Sequence, residues 1–409
     1  MYLLYNTSFH FSTPEWKNFQ QKGGLFLKIT GIICEYNPFH LGHFKQINTI
    51  HEHNPDGAVV ALMSGNFVQR GYPAIFDKSY RAQAAIMSGA DLVLELPVSI
   101  SLSSAEGFAF GGVRILSDFC DSLSFGAENP NTDTLLSTAQ ALLSPEFSVE
   151  LKQALSTGRS FPAARQTALK KMGLDDSILS TPNNILAVEY CKAILSQNSN
   201  LTPEPILRQG NYHDLSADRE NPSATAVRIL IENEEFWQQY VPKDLVSLFE
   251  NAPVHTLDAG ERAILYRLRT MTDAEFEALP YGSEGLWRKL MKNAQKYASL
   301  EEILTATKSK RYTRTRLDRM IMCAFLGLSA EDISSPAPYA RVLALNDKGR
   351  DILLKARQAG CFPNIGEKID HPWQALENRC DDLYGLFTRE RPASAGIAEK
   401  RRIYYQKEV

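Results

Sequence analysis

A short, largely apolar run from Ile29 to Cys34 feeds directly into Glu35-Tyr36-Asn37-Pro38-Phe39-His40-Leu41-Gly42-His43, and this junction constrains the fold more than any other stretch of the chain. The run has the length and β-branched content of a buried strand. Asn37-Pro38 ends it, because the residue before a proline is pushed out of the helical region. Helical spacing then takes over from Phe44 to His53. A buried strand that turns tightly into a helix is the opening of a parallel α/β sheet, and the turn lies at the carboxyl end of the strand, where such sheets place their ligands. His40 and His43 are spaced to share one face of the helix start. Gly42 between them removes a side chain, so a phosphate or a base could approach the backbone. Two imidazoles beside the free N–H groups of a helix start make an anion site.

The alternation continues beyond this unit and predicts an α/β class, a Rossmann-like doubly wound parallel sheet with a mostly helical C-terminal domain. Ala58 to Met63 reads as a second strand with Ser64-Gly65-Asn66 as its loop, and Asp77 to Gly89 as a capped helix. Asp91 to Leu96 is a third strand closed by Pro97, Ser104 caps a helix to Ser117, and Ser122 to Phe125 is a fourth strand ending in Gly126-Ala127-Glu128-Asn129. All four strand ends would lie along one edge, which is then the active-site cleft. Residues 129–172 read as short helices covering it. Thr181-Pro182-Asn183-Asn184 opens a helix from Ile185 to Leu195, and Pro205 to Arg208 reads as the last strand before Ser223-Ala224-Thr225-Ala226-Val227-Arg228 starts another helix. After about Glu235 the pattern is mostly helical, with a further strand possible near Arg341 to Ala344. The expected division is a nucleotide-binding domain over 27–234 and a helical domain over 235–409.

A chain of 409 residues is long enough for two such domains. Its net charge of −3 gives no global attraction to nucleic acid, so any RNA contact must come from a local patch. Six cysteines, at 34, 120, 191, 323, 361 and 380, form no CxxC pair, which argues against a zinc site or a disulfide framework and for a reducing cytoplasm. No apolar run approaches the roughly 18 residues a membrane helix requires. Residues 1–26 lack the sustained apolar core of a signal peptide. They read as a non-native extension, with Lys22-Gly23-Gly24 as a translated ribosome-binding sequence and Leu27 as the true start.

Three blocks carry a resemblance: EYNPFHLGH at 35–43, MSGNFVQRG at Met63 to Gly71, and ELP at Glu95 to Pro97. HxGH after a first strand is the signature of nucleotidyltransferases with HIGH-type motifs, and the longer wording resembles the bacterial tRNA(Met) cytidine acetate ligase family. The resemblance covers nearly everything from Lys28 onward. It implies an ATP-dependent enzyme that activates acetate as acetyl-adenylate and then acetylates the wobble cytidine of elongator tRNA(Met) to N4-acetylcytidine. It assigns His40 and His43 as catalytic, and places the nucleotide against Ile33, Cys34, Glu35, Tyr36, Asn37, Pro38, Phe39, Leu41, Gly42 and Gly126 as well. An asparagine of the 183–184 pair joins them, either Asn183 or Asn184, although both could serve as caps alone. Arg208 suits a phosphate through its planar fork, with surface solvation as the plain alternative. Ser223-Ala224-Thr225 stands where the superfamily has Ser-Ser-Thr, so Thr225 and Arg228 carry the phosphate-clamping role. Mg2+ would accompany ATP. No metal site of the protein's own is expected, and Cys34, Tyr36 and Phe39 are candidates for the acetate pocket, with packing the plainer role for Phe39.

The densest basic stretch, Lys308-Ser309-Lys310-Arg311-Tyr312-Thr313-Arg314-Thr315-Arg316, is the candidate tRNA contact through Lys308, Lys310, Arg311, Arg314 and Arg316. A solvated helix start is its plain reading. Two other functions remain open on the residues alone: an adenylyltransferase acting on a small phosphorylated cosubstrate, and a non-catalytic RNA-binding protein that keeps the fold.

Overall fold

The computed structural model describes residues 27–208, 222–335, 339–358, 372–392 and 394–407. The N-terminal extension, the stretch from Gln209 to Asp214 and Cys361 lie outside the described residues. β1 (Ile29–Cys34), β2 (Ala58–Ser64), β3 (Phe67–Val68), β4 (Tyr72–Pro73), β5 (Leu92–Leu96), β6 (Ser122–Ala127), β7 (Thr202–Leu207), β8 (Arg341–Asn346) and β9 (Tyr404–Gln406) make two sheets. The larger has the order β7-β6-β1-β2-β5-β8-β9, and β3 pairs with β4 in a small antiparallel hairpin.

From β7 to β5 the neighbours are parallel. β2 and β5 extend the sheet on one side of β1, and β6 and β7 on the other, so its growth reverses between β1 and β6. That is the switch point of a doubly wound fold. Period-2 alternation sends Ala58, Val60 and Leu62 of β2 to one core and Val59, Ala61 and Met63 to the other. Both faces are buried, as parallel sheets require. Helices Ala105–Leu116, Thr132–Leu143 and Pro182–Ser196 cover the first face, and Leu41–His53, Lys78–Met87, Ala224–Glu232 and Lys243–Glu250 the second.

The C-terminal region is mostly helical, as expected, and the strand anticipated near Arg341 to Ala344 is present as β8. Helices Leu257–Thr270, Leu286–Lys296, Leu300–Thr307 and Arg314–Leu326 do build a third core with Tyr384 and Phe387. Phe67, Val98 and Leu102 reach into it from the sheet side. The chain then returns to the sheet. β8 pairs antiparallel with β5, and β9 pairs parallel with β8, so Pro205 to Arg208 does not contain the last strand. The helical part of 235–409 thus sits between strands of one sheet.

Candidate active site

The cleft opens at the carboxyl ends of β1, β6 and β7 and encloses about 1050 Å³. The remaining expected strand ends, those of β2 and β5, are closed by buried charge. Arg81, fully buried, donates to the carbonyls of Phe76, Glu35, Ser64 and Gly65, which pins the loops after β1 and β2 together. Glu95, at the end of β5, accepts Lys78 at 2.5 Å and Arg341 at 2.8 Å. Asp381 takes Lys78 at 2.7 Å and Arg401 at 2.9 Å, and Arg401 also reaches Asp77 at 2.6 Å. Asn66 bridges Asp77 and Asp381. The second and third sequence blocks therefore supply Asn66 and Glu95 to a structural ion cluster rather than to the cleft.

The first block builds the cleft floor. Helix Leu41–His53 begins at His40, whose Nδ1 accepts the Gly42 N–H at 3.0 Å, while Nδ1 of His43 accepts the N–H of His40 at 3.3 Å. This is a capping box built from two imidazoles in place of the usual hydroxyl and carboxylate. With both Nδ1 atoms accepting, each neutral ring carries its proton on Nε2. Burial, then His43, Arg208 and Arg228, push the His40 pKa well below its ordinary value, and burial with Arg208 lowers His43 to about 3. The rings stack with centroids 3.8 Å apart, which two neutral imidazoles tolerate and two imidazolium ions would not. His40 Nε2, Asn37 Nδ2 and the Tyr36 hydroxyl are all buried without a hydrogen-bond partner in the structure. Three orphaned polar atoms on one loop facing one cleft mark a place for a polar ligand.

Gly42 has a different reason from the one expected. A Cβ there would stand 2.9 Å from the His40 ring, so the glycine makes room for the histidine rather than for a ligand. Asn183 lines the cleft and accepts Arg208 at 2.9 Å, whereas Asn184 is buried and accepts the N–H of Asn129. Glu128 caps this helix, accepting from Thr181, Asn183 and the Asn184 N–H. Arg228 donates to the carbonyl of Asn37 at 2.6 Å and to Thr225 and Tyr72 at 3.1 Å, which ties the helix after Ser223 to the histidine loop. Ser223 is spent on the cap, accepting from Ala226. Ile33, Cys34, Glu35, Tyr36, Asn37, Gly126, Thr225 and Arg208 line the cleft with the histidines. Pro38, Phe39 and Leu41 do not, and Phe39 is completely buried in the core. Burial pushes the Cys34 thiol up, so it offers no thiolate nucleophile.

The expected covering segment is present as helices Thr132–Leu143, Pro145–Ser156 and Phe161–Lys171, and Leu142, Phe147 and Phe161 from it form an apolar wall. The basic stretch lies at the rim. Lys308 and Lys310 are exposed, Arg311 pairs with Glu284, and Arg314 with Glu301 and Asp318, while Arg316 donates to the carbonyl of Tyr281. Its five cations are thus partly neutralised from within. Gln69, Arg70, Tyr72, Tyr281 and Arg319 also line the cleft, and the sequence reading missed them. Gly71, with φ +87°, was a signal that the hairpin holds something close.

A protein-family model described as HIGH Nucleotidyl Transferase matches residues 27–396. The tRNA(Met) cytidine acetate ligase of Clostridium novyi is 38% identical over 357 residues, covering 82% of this chain and 89% of the relative. That of Clostridium tetani is 37% identical over 390 residues, covering 89% and 96%. The chain belongs to the tRNA(Met) cytidine acetate ligase family. The crystal structure of apo Thermotoga maritima TmcAL is also similar, with a TM-score of 0.87 and 28% identity, covering 93% of this chain and all of that one. A second form of that protein, bound with alpha-thio ATP, has a TM-score of 0.84. In this member of the ligase family the histidine pair, Arg208 and Arg228, and the apolar wall meet in one cleft. Such a cleft can hold a triphosphate against donors and shield a reactive acyl group from water. Among the described residues, no helix is long and apolar enough to cross a membrane.

Proposed function

We propose that the chain activates acetate with ATP and transfers the acetyl group to the wobble cytidine of elongator tRNA(Met). The observation that carries this reading is the stacked pair His40 and His43, whose Nδ1 atoms both accept backbone N–H groups, lining a cleft at the sheet's switch point together with Arg208 and Arg228. In the first step an acetate oxygen attacks the α-phosphorus of ATP. The bond from that phosphorus to the bridging oxygen of the β-phosphate breaks, and pyrophosphate leaves. The nucleophile is already ionised, so no general base is needed, and the demand on the protein is positioning and stabilisation of developing charge. His40 and His43 donate to the oxygens on the attacked phosphorus. Arg208, Thr225 and Arg228 clamp the β- and γ-phosphates, and Asn183 holds Arg208 in place. In the second step the cytidine N4 attacks the acetyl carbonyl, AMP leaves, and a proton is lost from N4.

Mg2+ would come with the nucleotide. Among the described residues no group of three or more His, Cys, Asp or Glu side chains could hold a metal ion. The groups flanking the histidines are cationic, so the donor set suits phosphate oxygens, which would carry the ion. Bound there, Mg2+ would offset charge on the leaving pyrophosphate. Residues 27–234 act in this reading as the nucleotide-binding unit. The helical region brings the exposed Lys308 and Lys310, with Arg311, Arg314 and Arg316, to the rim as the tRNA contact. ATP–pyrophosphate exchange with and without acetate, followed by addition of tRNA and nucleoside analysis, tests the whole sequence. Acetate-dependent exchange with N4-acetylcytidine formed is the expected result. Exchange that instead requires a phosphorylated cosubstrate would replace this reading.

A further inference from the structure

The wall of the cleft contributed by the helical region has its own unsatisfied charge. Arg319 lies on helix Arg314–Leu326, is 8% exposed and lines the cleft, yet its Nε has no hydrogen-bond partner. Its one contact to a carbonyl, from Nη1 to Gln69, is long at 3.5 Å. Among the described residues no carboxylate pairs with it in a salt bridge, unlike Arg314, which pairs with Glu301 and Asp318. The guanidinium lies over the Tyr281 ring, its Cζ 5.1 Å from the centroid, and Tyr281 is anchored by its hydroxyl to the carbonyl of Leu102 at 2.8 Å. The helix cannot withdraw, because its backbone packs on Gly71 with no room for a Cβ. A buried guanidinium Nε–H left without a partner is costly unless a ligand completes it.

We infer that Arg319 receives the nucleotide that accepts the acetyl group, its Nε and Nη donating to the O2 and N3 acceptor edge of the cytosine. The inference rests on the function proposed above. A planar fork fixed against Tyr281 matches two adjacent acceptors in one plane. Cytosine presents N3 and O2 as such a pair, and this pairing leaves the exocyclic N4 unbound and able to attack. Uracil carries N3–H at the same place, which would set donor against donor, so the same contact excludes uridine.

The test uses the full-length protein and reads the two half-reactions separately. Arg319→Gln is expected to retain acetate-dependent pyrophosphate exchange within about twofold while losing acetyl transfer to tRNA by roughly 10- to 100-fold, the scale of a lost charged hydrogen bond. Arg319→Lys keeps the charge without the fork and should remain at least about tenfold impaired in transfer. Equal loss of both half-reactions with a lowered melting temperature would assign Arg319 to structure and overturn the inference. So would unimpaired transfer by Arg319→Gln, or full restoration by Arg319→Lys, which would point to a phosphate instead. Failure of the unmodified protein to show acetate-dependent exchange would remove the underlying function and not this contact alone.

Discussion

The two histidines do two jobs with the two nitrogens of each ring. Nδ1 caps the start of a helix and so leaves the proton on Nε2, the tautomer that donation to a phosphate oxygen would need. His43→Ala should therefore cut acetyl-adenylate formation by at least about a hundredfold, the cost of removing an oriented donor to developing charge. Unchanged pyrophosphate release by a folded variant would exclude that role. The same burial has a pH signature. His40 and His43 are held neutral below their ordinary pKa, so in acid the unfolded chain binds protons that the fold refuses. Their contribution is complete above about pH 6.5 and is lost as the pH falls, at up to about 1.4 kcal/mol per pH unit for each ring. Glu377 opposes them, because burial raises its carboxyl above the usual range and its contribution fades as the pH rises. Urea midpoints measured from pH 7 down to pH 5 should fall for the unmodified chain and fall less steeply for His43→Gln.

At the scale of elements, the hairpin β3–β4 couples the sheet to the helical region. Gln69 donates its N–H to Glu35 in the histidine block, and Gly71 meets the backbone of helix Arg314–Leu326, where a Cβ would lie 2.4 Å from the Arg319 nitrogen. Gly71→Ala adds left-handed strain at φ +87° to that clash. It should cost at least about 2 kcal/mol in denaturant unfolding, and transfer should suffer more than exchange. Elements were also where the sequence was most legible. Short, largely apolar runs marked β1, β2 and β5 and an alternating one marked β6, and Asp77 and Ser104 cap their helices as their positions suggested. The histidine turn was legible because strand, turn and helix are contiguous. Lys78 and Arg81 were not, since lysine and arginine at helical spacing read as a wet face, yet both are buried. β9 was invisible: three residues, mostly exposed, have no pattern to show until β8 is beside them. Asn183 and Asn184 looked alike and differ only in which faces Arg208 and which the Asn129 backbone.

Over the whole molecule, the ion cluster binds distant parts of the chain. Lys78, Arg341 and Arg401 meet Asp77, Glu95, Glu377 and Asp381, most of them almost fully buried. Arg341 and Lys78 hold Glu95 below the usual carboxylate range despite its burial, and Arg401 helps to hold Asp77 at about 2 in the same way. Asp381→Ala would leave Lys78 with Glu95 and Arg401 with Asp77 as their remaining partners and, by removing the carboxylate they share, should destabilise the fold by about 3 kcal/mol, read from chemical denaturation. A loss below about 1 kcal/mol would mean that water or rearranged partners replace the carboxylate. Such a cluster has no local sequence signature, since three of its pairs join residues 246, 303 and 324 positions apart.

The same closure sets a schedule for synthesis. β5 is made early, but β8, whose Arg341 pairs with Glu95 from 246 residues further on, covers its edge later and Arg401 completes the cluster later still, after roughly 12 to 60 s at ordinary translation rates. Through that interval the emerging polypeptide carries an open Leu92–Leu96 strand edge and an incomplete set of counter-charges. A ribosome stalled before β8 would thus display a sticky, half-neutralised sheet edge, and the burden of keeping it from its neighbours would fall on chaperones.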